Sequence, residues 1–264
     1  MKRLNVLDHG YVELVRVDGD DEFIAQTART STQSSGDPAK DAKLVTRLVR
    51  DRHTSPIEFG GVVLEIQMPI FVARQWMRHR TGAFNEFSMR YTEAPDLYYV
   101  PSKERCQAQS TFNKQGSAEY LGDEAADTIR GEIETQSRQA YQTYRRLLDL
   151  GLTRELARCV LPVNFYTKVR WKIDLHNLMH FMKLREDPHA QWEIQVYAKA
   201  IHLLLRELFP AAMKAFEQHV QNKIEVSPGL ASSLAAALGR LSDLDEDIEL
   251  TSEELEFIRR YDRG

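Results

Sequence analysis

The run Val62–Met68 is apolar except for Glu65 and Gln67, and it stops on Pro69. Such a run predicts a strand. Proline cannot donate to a sheet ladder, but it suits the first turn of a helix. A helix is therefore expected to follow at once and run to about Arg80. Strand and helix meet without a loop, which confines this part of the chain to a mixed α and β architecture. Elsewhere the two periodicities alternate. Residues 3–17 alternate apolar and polar around Asp8-His9-Gly10 and predict a hairpin with that turn. Residues 22–33 and 38–52 predict helices, the second through the stripe Ala42, Leu44, Val45, Leu48 and Val49. Residues 81–96 hold Gly, Asn, Ser and Pro and predict an ordered loop, and 101–121 predict a polar excursion. A long helix is expected over 122–150, closed by Gly151, and a short one opens at Thr153 and ends before Pro162. Phe165–Ile173 predicts a strand, and 174–185 and 189–209 predict helices.

A different composition begins near residue 222. Ser227-Pro228-Gly229 predicts a linker, and residues 243–256 carry eight acids. Thr251 with Glu254 forms a capping box, with Leu250 and Leu255 placed as a hydrophobic staple, so a short terminal helix is expected. The expected organisation is a domain over 1–221 and an acidic extension with a short helix over 222–264.

Charge and hydropathy narrow the function. The formal net charge is −4, whereas a wide duplex-binding surface makes a domain basic. No apolar run approaches the roughly 18 residues of a membrane helix. The start, MKRLNVLDHGYVEL, has no apolar core of the signal-peptide kind. Two cysteines, Cys106 and Cys159, make neither a disulfide framework nor a cysteine-based zinc site. A cytoplasmic protein with no membrane or nucleic-acid partner is expected.

The segment 74–91, RQWMRHRTGAFNEFSMRY, concentrates the chemistry. On a helix Phe71, Arg74, Gln75 and Arg78 share one side, while Val72, Trp76 and His79 lie on another. Asn85, Glu86, Ser88 and Arg90 follow. Guanidinium forks pair bidentately with oxyanions and stack on rings, so the set suits a phosphate joined to a planar heterocycle. A solvated basic helix end accounts for the same residues without a ligand. So does an RNA-binding module, with Trp76, Phe84 and Phe87 interleaving the cations.

Arg78-His79-Arg80, seven residues, then Ser88 is similar to the RHR-x7-S signature of flavin-dependent thymidylate synthases, and the likeness continues through Asn85-Glu86 and Arg90-Tyr91. His53-Thr54-Ser55-Pro56-Ile57-Glu58-Phe59 lies upstream of it in the family's order. Ala157-Arg158-Cys159-Val160-Leu161-Pro162, and Leu184-Arg185 through His189-Ala190-Gln191-Trp192-Glu193, lie downstream. The resemblance spans about residues 1–220. It implies an α+β fold, a sheet packed by long helices, assembled as a homotetramer whose active sites are shared between subunits. It also implies methylation of dUMP to dTMP, with FAD reduced by NADPH as hydride source and methylenetetrahydrofolate as carbon donor. Arg185 matches the catalytic arginine. The dUMP contacts would be Gln75, Arg78, Glu86, Phe87, Ser88, Met89, Arg90, Arg158 and Arg185. On the flavin side the matches are His53, Ser55, Glu58, Arg78, His79, Arg80, Asn85 and Glu86, with Asp174, His176, His180 and His189. No G-x-G-x-x-G occurs, so a flavin here is not held on a Rossmann loop.

His176 and His180 are four apart on one helix face, which is also the spacing of a zinc pair. A zinc-dependent hydrolase is the alternative reading. Against it, Asn177 stands where the metalloprotease motif carries its glutamate, so no metal is expected. Neither cysteine has a nucleophile's setting: Cys106 falls in the polar excursion, and Cys159 in a helix that reads as packed and buried.

Overall fold

The computed structural model describes residues 2–31, 37–112, 114–224, 226–244 and 255. The chain divides into two units, Met1–Gln221 and Asn222–Gly264. The first opens with β1 (Arg3–Val6) and β2 (Gly10–Asp18), paired antiparallel across Leu7, Asp8 and His9. The turn sits one residue earlier than predicted, because Gly10 already pairs with Val6. Asp20 caps α1 (Asp21–Arg29), its Oδ1 accepting from the Phe23 N–H at 2.8 Å. This helix ends short of the predicted residue 33, and positions 32 and 33 lie outside the described residues. After α2 (Pro38–Arg50) comes a 3-10 turn, Ile57–Phe59, and then β3 (Gly61–Pro69).

Pro69 ends β3 and Ile70 begins α3 (Ile70–Trp76) with no loop between, as predicted. The helix is shorter than expected. Met77 closes it with a bond to the Ala73 carbonyl, and the chain turns away through residues 77–82 to reach β4 (Ala83–Glu86). Arg78 and His79 therefore project from a turn, not from a helix face. β4 also corrects the reading of 81–96 as a loop. Its four residues have one large apolar side chain, too short a pattern to register as a strand.

The polar excursion is a small hairpin of β5 (Gln107–Gln109) and β6 (Ser117–Tyr120). It leads into α4 (Asp123–Asp149), closed by Gly151 at φ 87°, a left-handed conformation that glycine adopts without strain. α5 (Arg154–Ala157) and a 3-10 turn precede β7 (Tyr166–Asp174). Like β3, β7 runs directly into a helix, α6 (Leu175–Arg185). Asp174 serves as its cap, accepting from the Asn177 N–H at 2.9 Å. α7 (Trp192–Leu208), α8 (Pro210–Phe216) and a π-helical turn, Glu217–Gln221, complete the unit.

The main sheet is antiparallel throughout, in the order β1-β2-β3-β7-β4. The fold is thus α+β, as the resemblance implied. Nine residue pairs join β3 and β7, from Gly61 opposite Asp174 to Pro69 opposite Tyr166. One face carries Val62, Leu64, Ile66, Val169, Trp171 and Ile173, all buried beneath the helices. The other presents Lys168, Arg170 and Lys172 beside Glu65, the ordinary pattern of a sheet covered on one side. From opposite ends of the β3–β7 pair, α3 and α6 fold back over the buried face. They meet where Trp76 packs on Phe181 at 4.6 Å and edge-on to Trp171 at 5.3 Å. Phe84 of β4 stacks on Trp171 at 5.8 Å.

The second unit contains α9 (Pro228–Leu244). Ser227-Pro228-Gly229 starts a helix here instead of a linker. Proline sits at the first helical position, and Ser227 Oγ accepts from the Leu230 N–H at 3.3 Å. The capping box Thr251/Glu254 lies outside the described residues.

Gly82 lets β4 close on β7. A Cβ at this position would collide with the Trp171 indole nitrogen and stand 2.9 Å from the Lys172 carbonyl oxygen. Gly82→Ala is expected to destabilise the protein by about 1–3 kcal/mol, read as a lower urea midpoint. An unchanged midpoint would show that β4 is not held this tightly.

Candidate active site

One polar group lies where α3 and α6 end. Arg185, in the last turn of α6, donates through Nε to His79 Nε2 at 2.9 Å and through Nη2 to the Gln75 carbonyl at 3.2 Å. Neither Glu186 nor Asp187 takes it as a salt-bridge partner, because Glu186 turns to His202 and Asp187 to His189. Arg185 is half-buried, and burial lowers its pKa below the usual arginine value, yet no carboxylate pairs with it among the described residues. A cation held by a neutral ring and a carbonyl, without a counter-ion, is poised for an incoming anion.

His79 is neutral by the same geometry. Its Nε2 accepts from a guanidinium, so its proton sits on Nδ1. Burial first, then the charges of Arg185 and His180, bring its pKa down to about 4. The His180 ring is 6.4 Å away, and Phe181 closes the other side at 4.9 Å. The Gln75 side chain donates to Gln191, which in turn donates to Glu193 at 2.8 Å. Glu193 is buried and also accepts from Arg105 at 3.0 Å and Tyr99 at 3.1 Å. Gln191 thus supports the site, although its sequence neighbourhood carries no signal beyond the family likeness.

A second group forms around Glu155, whose carboxylate accepts from Arg90 at 2.8 and 2.9 Å and whose carbonyl accepts from Arg158 Nε at 3.2 Å. Arg90 and Arg158 are exposed, and the Arg90 N–H bonds Ser88 Oγ at 3.3 Å. The role of Glu155 in gathering them left no mark in the sequence. On the sheet edge, Glu86 accepts from Thr167 at 2.8 Å and Asn85 stands opposite Arg170. Phe87 and Met89 belong to a small separate core with Tyr144 and Ala157. Met89 is buried there, so its side chain packs, and only its backbone remains for a ligand. Among the described residues no hydrogen bond or ion pair joins the Glu155 group to the Arg185 group.

The remaining residues divide likewise. His53, Ser55 and Glu58 are exposed on the segment before β3, and the turn Ile57–Phe59 packs against α6. His176 is half-buried and His180 exposed on that helix. Asp174 caps α6, one carboxylate oxygen accepting from the Asn177 N–H and the other from its side-chain amide at 2.7 Å. His189 folds onto Asp187 at 2.8 Å. Arg78 and Arg80 are exposed and make no hydrogen bond or ion pair among the described residues. Two uncommitted guanidinium groups flanking a neutral imidazole, with two further histidines on α6, form a donor set that fits a pyrophosphate and a polar heterocycle. The residues present therefore fit a flavin dinucleotide.

Of the two cysteines, Cys159 is not the packed residue expected. Cys106 is the buried one, with its thiol against the Ser102 and Ala126 carbonyls at 3.7 and 3.9 Å. Cys159 is exposed on the 3-10 turn Arg158–Val160, because only Ala157 of that segment points inward. No hydrogen bond links either to a histidine among the described residues. Among those residues, too, no group of three or more His, Cys, Asp or Glu could hold a metal ion, and no helix is long and apolar enough to cross a membrane.

Comparison with known proteins places this arrangement. Residues 13–211 match the family described as thymidylate synthase complementing protein. A flavin-dependent thymidylate synthase of Thermus thermophilus is 48% identical over 216 residues, covering 81% of this chain and 78% of that protein. One from Gluconobacter oxydans is 39% identical over 253 residues, covering 94% and 84%. Among solved structures, the UMP/dUMP methylase PolB from Streptomyces cacaoi, bound with 5-Br dUMP, superposes with a TM-score of 0.73. It is 31% identical, and the match covers 83% of this chain and 99% of that one.

The Arg185–His79 contact carries its own test. The folded pKa of His79 lies below the ordinary 6.5, so the unfolded chain takes up a proton that the folded one refuses. Stability is complete above pH 6.5 and declines as pH falls toward about 4. Histidine NMR should show the His79 ring neutral down to about pH 4. A midpoint near the unperturbed 6.5 would mean that His79 is not the acceptor for Arg185.

Proposed function

The chain belongs to the flavin-dependent thymidylate synthase family, and on that premise we propose how its residues divide the work. It is an FAD-dependent methyltransferase that converts dUMP to dTMP. Bound FAD, reduced by NADPH, supplies the hydride, and methylenetetrahydrofolate supplies the carbon. The protein's own part is to hold the nucleotide and shift charge within the uracil ring.

The observation that carries this reading is the uncompensated guanidinium of Arg185. Set beside the uracil N3 and its carbonyls, a preorganised cation favours the ionised ring and makes the carbon to be methylated more nucleophilic. The neutral ring of His79 does not compete for that anion. Arg90 and Arg158, with Ser88, suit the phosphate monoester. Both arginines are exposed, and the Glu155 carboxylate holds only Arg90, so exchanging an exposed ion pair for a phosphate costs little. Gln75, Arg78 and Glu86 complete the nucleotide side, with Phe87 and Met89 shaping the loop beneath it. His53, Ser55, Glu58, Arg78, His79, Arg80, Asn85 and Glu86, with Asp174, His176, His180 and His189, suit the flavin.

A zinc-dependent hydrolase finds no support, since His176 and His180 lack a third ligand among the described residues. The acidic balance speaks against an RNA-binding module.

Among the described residues no hydrogen bond or ion pair joins the Glu155 group to the Arg185 group, and the chain has no G-x-G-x-x-G to hold a flavin by itself. We therefore read the active site as shared between subunits of a homotetramer working in the cytoplasm, with the acidic extension from residue 222 outside the catalytic domain.

Arg185→Ala should leave the protein folded and still able to bind FAD, yet lower dTMP formation by at least about 100-fold in a product assay. Arg185→Lys keeps the charge without the planar fork and should recover only part of the rate. Near wild-type turnover in Arg185→Ala would remove Arg185 from the chemistry. Sharing between subunits is checked by mixing. An inactive Ser88 variant and an inactive Arg185 variant, after demonstrated subunit exchange, should regain partial activity. No recovery would mean that each chain carries a complete site.

A further inference from the structure

Among the described residues outside the groups assigned above, His202 is a buried titratable side chain with both polar atoms committed. His202, on α7, has a side chain 8% exposed. Its Nδ1 lies 2.9 and 3.1 Å from the two carboxylate oxygens of Glu186, and its Nε2 lies 2.9 Å from Glu217 Oε1. A carboxylate only accepts hydrogen bonds, and a neutral imidazole has one N–H and one lone pair. In either neutral tautomer a lone pair would face a carboxylate oxygen in a nearly dry site. The imidazolium donates to both. Glu217 also accepts from Arg206 Nε at 2.6 Å, Glu186 accepts from the Gln221 amide, and Phe216 closes the remaining side at 5.9 Å. The charged groups facing the ring are therefore Glu186 from the end of α6, Glu217 from the π-helical turn, and Arg206 behind Glu217. With His202 protonated, two negative and two positive charges cancel. Burial opposes that charge, but the bonds to Glu186 and Glu217 outweigh it and raise the His202 pKa above 6.5.

Glu186 follows Arg185 directly and is the residue on which α6 ends, its N–H bonded to the Met182 carbonyl at 2.8 Å. What holds Glu186 holds the last turn of α6. That turn sets where the guanidinium meets His79 and Gln75. We infer that His202 is a positioning residue for Arg185: as an imidazolium it ties Glu186, at the end of α6, to Glu217 on the turn that follows α8. The inference rests on the reading that Arg185 acts on the uracil. Because the folded pKa is raised, the brace is complete below pH 6.5 and is lost as pH rises through the folded value. Its loss adds an alkaline limb to kcat/KM for dUMP.

The test uses the full-length, FAD-loaded enzyme and His202→Gln, whose neutral amide lacks the positive charge and sets a carbonyl oxygen where one of the two ring nitrogens stood. At pH 7 kcat/KM for dUMP should fall by about 10- to 100-fold, the scale of a misplaced catalytic group. The alkaline limb of the wild-type profile should vanish, and NADPH-driven flavin reduction should stay unchanged. In an Arg185→Ala background, His202→Gln should cause no further loss. Equal losses in both backgrounds, or an alkaline limb that persists in His202→Gln, would overturn the inference. Ring-15N NMR of the wild-type enzyme tests it without any variant, because both nitrogens of His202 should be protonated at pH 7. A neutral ring there overturns it even if His202→Gln does not fold. Wild-type enzyme that forms no dTMP would instead overturn the functional reading beneath it.

Discussion

The polar groups around Arg185 are aimed by an apolar contact. Trp76 closes α3, Phe181 lies near the end of α6, Trp171 sits mid-way along β7, and Tyr197 belongs to α7. Trp76 touches the other three, with ring centroids 4.6 to 6.0 Å apart. All four are completely buried. Aromatic pairs in such tilted and edge-on geometries contribute about 0.5–1.5 kcal/mol each beyond the burial of their area. Gln75 and His79 flank Trp76 in sequence, and Arg185 lies one turn beyond Phe181. Packing Trp76 on Phe181 therefore brings the carbonyl of Gln75, the ring of His79 and the guanidinium of Arg185 into hydrogen-bond range. The cluster supplies position, and the chemistry follows from it.

The charges around it are arranged in layers. At the surface, Arg78 and Arg80 stay uncommitted and Arg90 has only an exposed carboxylate. Half-buried, Arg185 meets a neutral ring and a carbonyl instead of an acid. In the interior, His202 lies between two carboxylates and Glu193 collects its donors. Counter-ions are complete inside and incomplete toward the site. A binding site for anions needs that gradient, because a cation already neutralised by its own chain has little left to offer a phosphate or an ionised ring.

How much of this could be read from the residues depended on the length of each pattern. Val62–Met68 and Phe165–Ile173 have enough alternation to declare central strands, and Pro69 marks the entry to α3. The 122–150 helix shows through its length and its terminal glycine. AFNE, by contrast, is too short for any period to emerge, so β4 became visible only through its partner β7. The extent of α3 was overestimated because helical spacing continues formally through Arg78 and His79. What stops the helix is a distant demand, the need to reach the edge of β7 by Ala83. Ser227-Pro228-Gly229 misled for a local reason, since the residues that break one helix also start another. The candidate site's residues are named from the RHR-x7-S likeness. The connections among them are not. Glu155 beneath Arg90, Gln191 beside Gln75 and His202 behind Glu186 are all long-range contacts that leave no spacing in the chain. The burial of Cys106 and the exposure of Cys159 leave no mark in the sequence for the same reason, as burial depends on what arrives from elsewhere.

Two strands here pass into helices with no intervening loop, at Pro69–Ile70 and at Asp174–Leu175. These joints make the site a matter of counting. One residue added between Pro69 and Trp76 would rotate everything beyond it by about 100° about the axis of α3. One residue added within β3 or β7 would turn the buried side of the sheet outward. Either change would swing Gln75 or Arg185 out of reach of its partners while leaving the amino-acid composition almost untouched. Length is freer to vary in segments that do not connect a strand to its helix, such as the one between β5 and β6. For this enzyme the spacing between residues is as much a part of the catalytic apparatus as the side chains themselves.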